Sequence, residues 1–204
     1  MAVKEALLGI LTLGPAYGLQ LHSELRERAP HRSRTNVGQI YGTLDRLVLA
    51  GLVTRFGETT DGLPLYSLTD PGIQSAEDWL TGRDLVVAND WPELLDRILL
   101  ARSLNDRFLE SVIGAYELIL SREPSKPTPT GRGQSAMLAA ANARFHGAAL
   151  AWLGDIRRDM SGRYGVSVGV AGGEARSDAV PVTHGYTTER PKRGRPAQPV
   201  AEHR

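Results

Sequence analysis

Cysteine is absent from the chain, and its absence excludes several kinds of chemistry at once. A protein without cysteine has no disulfide, no thiolate nucleophile and no cysteine-ligated zinc or iron–sulfur site. The five histidines are scattered along the sequence rather than paired at the spacing of metal ligands. We therefore expect neither a metal nor another cofactor.

Long hydrophobic runs are missing as well. No stretch approaches the roughly 20 consecutive apolar residues that a membrane-spanning helix needs, and the first residues lack the pattern of a secretion signal. We expect a cytoplasmic protein, associated with the nucleoid, without a membrane partner. An apolar fraction of 41% in 204 residues is still enough to bury the core of one or two small domains.

Neither sign of charge is in clear excess. The formal net charge at pH 7 is +1, so the field of the whole chain does not attract nucleic acid. The first 80 residues contain seven lysines and arginines against nine aspartates and glutamates. Any affinity for DNA must therefore come from a few locally placed cations.

Two helical segments and a short turn open the chain. The apolar spacing predicts a first helix over residues 3–13, ended by Gly14-Pro15. A second helix begins near Tyr17 and ends at Pro30, because proline disfavours helical backbone in the residue before it. The segment that follows carries two arginines ahead of a third helical pattern.

The third helical segment has clear start and end signals and small residues on one side. Asn36 is a good N-cap with Gln39 three positions on, and Gly51 is suited to a left-handed C-cap. Gly38 and Gly42 fall opposite the apolar stripe, where they would let the backbone approach a major groove. The alternative is that these glycines allow tight packing against the second helix.

Two short strands, residues 52–56 and 65–69, are separated by a turn-rich loop and predict the hairpin of a wing. Asp70 before Pro71 is predicted to cap a further helix that runs through residues 79–80.

Several motifs follow one another between residues 7 and 72. They are Leu7-Leu8-Gly9-Ile10-Leu11, Gly14-Pro15, Tyr17-Gly18, Val37-Gly38-Gln39-Ile40-Tyr41, Leu44, Leu47, Gly51-Leu52-Val53, Tyr66-Ser67-Leu68-Thr69 and Gly72. In this order they resemble the winged helix-turn-helix domain of PadR-like transcriptional regulators. The resemblance implies DNA binding and a helical C-terminal region through which two chains pair. In that family the wing loop commonly carries lysine or arginine, whereas here it carries Glu58 and Asp61.

The candidate DNA contacts lie before the third helix, on its exposed side and at the base of the wing. They are Arg32, Arg34, Thr35, Asn36, Gln39, Tyr41, Thr43, Arg46 and Arg55. A dimer would present two such helices to an inverted-repeat operator of double-stranded DNA.

The second half of the chain is predicted to be helical. Apolar spacing runs from residue 94 to residue 120 with a break at residues 103–106, and it resumes after a Pro-rich linker at residues 123–133. The last helix is expected to end at Arg157-Arg158. Its apolar stripe and those before it favour pairing with a second copy. Trp79, Trp91 and Trp152 are candidate walls of an effector pocket, and the alternative is that they belong to the core or an interface.

The remaining residues, 161–204, have no sustained period and are predicted to form a flexible basic tail. Residues 191–196 resemble an AT-hook, in which Lys192, Arg193 and Arg195 would follow the minor groove of A·T-rich DNA. The alternative is an unstructured tail that only aids solubility.

These patterns predict a mainly α fold with a small β wing. Residues 1–81 form a winged helix-turn-helix domain, residues 82–160 a helical dimerisation or effector region, and residues 161–204 the tail. The expected function is that of a dimeric repressor released by a small molecule or another signal. The alternative is a protein-interaction adaptor on a winged-helix scaffold without base-specific readout, motivated by the acidic wing. His22 and His146 lack a serine elbow, a phosphate loop or clustered carboxylates, so we do not expect an enzyme.

Overall fold

A computed structural model of the protein describes residues 2–122 and 133–165. Within these ranges the chain is mostly helical, with one small antiparallel sheet, as the sequence predicted. The helices are α1 (Ala2–Leu11), α2 (Gly18–Arg28), α3 (Val37–Leu49), α4 (Asp70–Thr81), α5 (Trp91–Leu104), α6 (Asp106–Arg122) and α7 (Gln134–Gly165). A single 3-10 turn (Pro30–Arg32) lies between α2 and α3, and the strands are β1 (Ala16–Tyr17), β2 (Val53–Glu58) and β3 (Pro64–Leu68).

The sheet has the order β1-β3-β2, with both pairings antiparallel. β2 and β3 form the predicted hairpin, and its register shifts at a bulge between Arg55 and Gly57. β1 is an addition that the sequence did not predict: Ala16 pairs with Tyr66 of β3. This strand is too short to show the alternation by which a strand is recognised in a sequence.

Two apolar clusters make up the interior. The first joins α1, α2, α3, α4 and the sheet, and the second joins α5, α6 and α7. α5 belongs to both, because Leu100 and Leu104 pack into the first cluster while Leu94 and Ile98 pack into the second. The helix therefore connects the winged helix to the helical region that follows it.

Several helix ends differ from the prediction. The N-cap of α4 is Thr69, whose hydroxyl accepts the Gly72 N–H at 3.2 Å, and Asp70 is the first helical residue rather than the cap. α1 ends at Leu11, two residues earlier than expected. α7 continues to Gly165, past the expected end at Arg157-Arg158 and past the domain boundary predicted at residue 160.

Part of the predicted organisation lies outside the described residues. This applies to residues 123–132 of the Pro-rich linker, to the tail from residue 166, and to the AT-hook-like segment with Lys192, Arg193 and Arg195. Among the helices that are described, none is long and apolar enough to cross a membrane.

Candidate nucleic-acid interface

One side of α3 is buried and the other is open to solvent. Ile40, Leu44 and Leu47 pack into the first apolar cluster. At the start of the helix, the side chain of Asn36 accepts the Gln39 N–H at 2.8 Å, which confirms the predicted N-cap. Gly51 has a φ of 69°, so the predicted left-handed residue at the other end is confirmed as well.

The open side of α3 carries small and polar residues: Gly38, Gln39, Gly42, Asp45 and Arg46 are all exposed. A Cβ added at Gly42 would have nothing within 4 Å, and one at Gly38 would meet only the Asn36 side chain at 3.4 Å. Packing within the described chain therefore does not require glycine at Gly42, in contrast to the alternative that the sequence left open. The open backbone leaves room for a partner outside the chain.

The close approach between α2 and α3 depends on a different glycine. A Cβ at Gly18 would lie 2.5 Å from Cζ of the Tyr41 ring. Tyr41 is half-buried in this contact, and burial raises the pKa of its hydroxyl. Its side chain thus packs the first turn of α2 against α3, and a role in DNA contact stays a prediction.

Replacing Gly18 with alanine should therefore destabilise the protein, because the Tyr41 ring must leave its place. We expect a loss of about 1 to 2 kcal/mol in the free energy of unfolding, as for other overpacked sites, measured by urea denaturation. Gly114→Ala in α6 is the matched control, since a Cβ there has nothing within 4 Å. The control should gain stability, and an equal gain in Gly18→Ala would refute the packing role.

Arg32, a predicted DNA contact, is held by a buried acid of α5. Its Nε donates to Oδ1 of Asp96 at 3.0 Å and its Nη2 to Oδ2 at 2.5 Å, while Nε2 of His31 lies 2.7 Å from Oδ1. Asp96 is 0% exposed. The hydrogen bond to Asp96 raises the pKa of Arg32. This cluster ties the segment before α3 to α5.

Sequence reasoning missed Asp96 and its neighbour Arg97. The signal that was present is a pair of adjacent charged residues within the apolar pattern of α5. Arg97 is also buried, and it donates to both carboxylate oxygens of Asp84, to Glu93 and to the carbonyl of Trp79. Burial opposes its charge, but the hydrogen bonds to Asp84 and Glu93 raise the pKa of Arg97 above its ordinary value.

The other predicted DNA contacts differ in exposure and in the partners that their side chains already have within the chain. Arg34 is exposed and makes no ion pair within the part of the chain that the structure describes. The side chain of Arg46 is hydrogen-bonded to its own helix, because Nε donates to the Gly42 carbonyl and Nη2 to the Thr43 hydroxyl, each at 3.0 Å. Thr35 and Thr43 are buried, and the Thr43 hydroxyl donates to the Gln39 carbonyl at 2.7 Å.

The wing has an acidic tip and one cation at its base. Glu58 and Asp61 are exposed, and Arg55 pairs with Asp45 of α3 at 3.5 Å, with both side chains exposed. Such an exposed pair is weak and leaves Arg55 available to another anion.

Two of the three tryptophans come together. The ring centroids of Trp91 and Trp152 are 5.6 Å apart, and Phe145 lies 5.8 Å from Trp91. Trp79 is not part of this aromatic cluster, because it is buried in the first apolar cluster with the Arg97 guanidinium 5.1 Å above its ring. Binding of an effector by any of them stays a prediction.

Comparison with known protein families gives a match over the winged helix alone. Residues 7–78 match the model of the transcriptional regulator PadR-like family, a family of regulators and not of enzymes. The resemblance predicted from the motifs is thus confirmed for these residues, and the match ends within α4. Among solved structures, the chain is similar to Bacillus subtilis PadR, crystallised in complex with operator DNA. That similarity has 20% identity and a TM-score of 0.37, and covers 76% of this chain and 97% of the other. No curated protein matches the chain.

Proposed function

We propose that the chain is a sequence-specific DNA-binding transcriptional regulator that acts as a dimeric repressor. The observation that carries this proposal is the open side of α3, where a capped helix exposes Gln39 beside glycine backbone with no internal packing role at Gly42. The PadR-like match over residues 7–78 includes all of α3 and supports the same function.

Base readout is assigned to the first turns of α3, the part of a recognition helix that reaches base edges in a major groove. Gln39 is exposed there, and its side-chain amide can bond an adenine edge through two hydrogen bonds. Arg34, Arg46 and Arg55 are assigned to phosphates, since none of them has a buried carboxylate partner. Thr35, Thr43 and Tyr41 would support the helix from within.

Pairing of two chains is supported by apolar side chains that the helical region leaves exposed. Leu118 of α6 is 52% exposed, and Met137 and Leu138 of α7 are 73% and 63% exposed. Burying these residues against a second copy would favour a two-fold dimer. Two α3 helices would then face half-sites about one helical turn, roughly 34 Å, apart.

A small molecule that binds the aromatic cluster is proposed to release the protein from DNA. Trp91, Phe145 and Trp152 form a partly exposed aromatic surface suited to a planar apolar compound. Binding there would be detected as quenching of tryptophan fluorescence that weakens DNA binding at the same ligand concentrations.

The test of base readout is Gln39→Ala, measured by fluorescence anisotropy on a duplex that the full chain enriches from a random library. We expect affinity for that duplex to fall about tenfold, equivalent to roughly 1.4 kcal/mol. Affinity for a scrambled duplex should stay the same, because only a base contact is lost. Gln74→Ala in α4, where the amide bonds Asp78, is the control. An equal loss on both duplexes would contradict readout by Gln39.

A further inference from the structure

A groove of about 530 Å³ lies between the first turn of α1 and the open side of α3. Three cations line it: Lys4 from α1, Arg32 from the 3-10 turn and Arg46 from α3. Gln39 and Thr43 are the uncharged polar residues that also line it, and none of the described residues that line the groove is acidic. The groove therefore suits an anion, and it borders the side of α3 assigned to base readout.

The neighbouring cavity has the opposite character. It measures about 360 Å³ and is lined by two cations, Arg32, which it shares with the groove, and Arg97, together with four acids, Glu5, Asp84, Asp90 and Glu93. Arg32 thus stands between an acidic cavity and a basic groove. Because Asp96 binds Nε and Nη2 of Arg32, the guanidinium is fixed at this border.

Two cations of the groove can exchange their present partners for a phosphate. The ammonium of Lys4 is 3.7 Å from the Glu5 carboxylate, and its side chain is 45% exposed, so that pair is weak. Arg46 is hydrogen-bonded to a carbonyl and a hydroxyl, neither of which neutralises its charge. Both residues line the groove, Lys4 from α1 and Arg46 from α3.

We propose that this groove binds the phosphodiester backbone of DNA beside the bases that α3 reads, with Lys4 and Arg46 as its two phosphate ligands. Lys4 is then a DNA contact contributed by α1, from outside the helix-turn-helix itself. This inference rests on the proposed function. It accounts for how a domain with more acidic than basic residues obtains affinity for DNA from cations that are gathered in one place.

The experiment measures anisotropy of the full chain and of Lys4→Gln on the enriched duplex and on a scrambled duplex, across a chloride series. Each protomer of the proposed dimer would lose one phosphate contact, so binding to both duplexes should weaken by the same factor, about fivefold at low salt, and the salt slope should fall by about 2. Lys4→Arg should restore both values. Arg144→Ala is the control, because Arg144 is exposed on α7 and donates to a carbonyl of its own helix.

The outcomes separate the two proposals. An unchanged salt slope in Lys4→Gln, with selective binding by the original chain, would overturn the groove contact and leave the regulator proposal in place. Failure of the original chain to distinguish the two duplexes would overturn the regulator proposal itself. If inorganic phosphate stabilises the original chain but not Lys4→Gln against thermal unfolding, while the DNA salt slope is unchanged, the groove binds free phosphate and the backbone contact is wrong.

Discussion

Replacing Arg32 with alanine is expected to lower the free energy of unfolding by about 3 kcal/mol. The change would leave the carboxylate of Asp96, which is 0% exposed, with His31 as its remaining side-chain partner. A buried charge that loses its partner is costly, whereas an exposed one is solvated by water. Denaturant unfolding followed by circular dichroism measures this loss directly.

Arg34→Ala is the matched control, because it removes the same charge two residues away at an exposed position. Its unfolding free energy should change by less than about 0.5 kcal/mol, while the salt slope of DNA binding falls by about 2, one contact for each protomer of the dimer. The two arginines, which the sequence treats alike, are thereby separated into one that positions the segment before α3 and one that contacts phosphate. Equal stability of the two variants would contradict the role given to Asp96.

Replacing Gly42 with alanine is expected to move stability and DNA affinity in opposite directions. Glycine inside a helix costs about 0.5 to 1 kcal/mol relative to alanine, and an added Cβ here has nothing within 4 Å. The variant should therefore unfold at a higher temperature. On DNA, the extra methyl group would meet the major groove, and crowding of about 2 to 3 kcal/mol would weaken binding by a factor of roughly 30 to 140.

Gly114→Ala again provides the comparison, since its Cβ is also unobstructed but lies on α6. It should show the same gain in thermal stability and bind DNA like the original chain. A Gly42→Ala variant that binds DNA unchanged would show that the backbone of α3 does not approach the groove at this point.

The capping residues of α3 predicted its two ends well, because capping depends on residues that are close together in the sequence. Asn36 begins α3 and Gly51 follows its end, as expected from capping preferences. The break between α5 and α6 was placed correctly for a similar reason, since Asn105 interrupts the helices there. At α4 the prediction of Asp70 as the N-cap was wrong by one residue: Thr69 is the cap, and threonine and aspartate both favour this position, so local preference did not distinguish them.

Features that depend on distant contacts were not predictable in the same way. β1 exists because Ala16 pairs with Tyr66, 50 positions along the chain. The burial of Asp96 depends on partners contributed by His31 and Arg32, and the two-sided burial of α5 depends on two separate clusters. The candidate site changed accordingly. Arg32 is held by a buried carboxylate, which the sequence did not predict, and Lys4 is proposed as an added contact because it lines a groove together with residues of α3.

Base readout by α3 can be measured by selecting duplexes from a random-sequence library with the full chain. We expect enrichment of an inverted repeat whose half-sites are centred about 10 base pairs apart, together with loss of that enrichment in Gly42→Ala. Recovery of duplexes without any shared sequence would contradict base readout. A winged helix that binds DNA without selecting sequence would instead fit the adaptor alternative, in which α3 reads no bases.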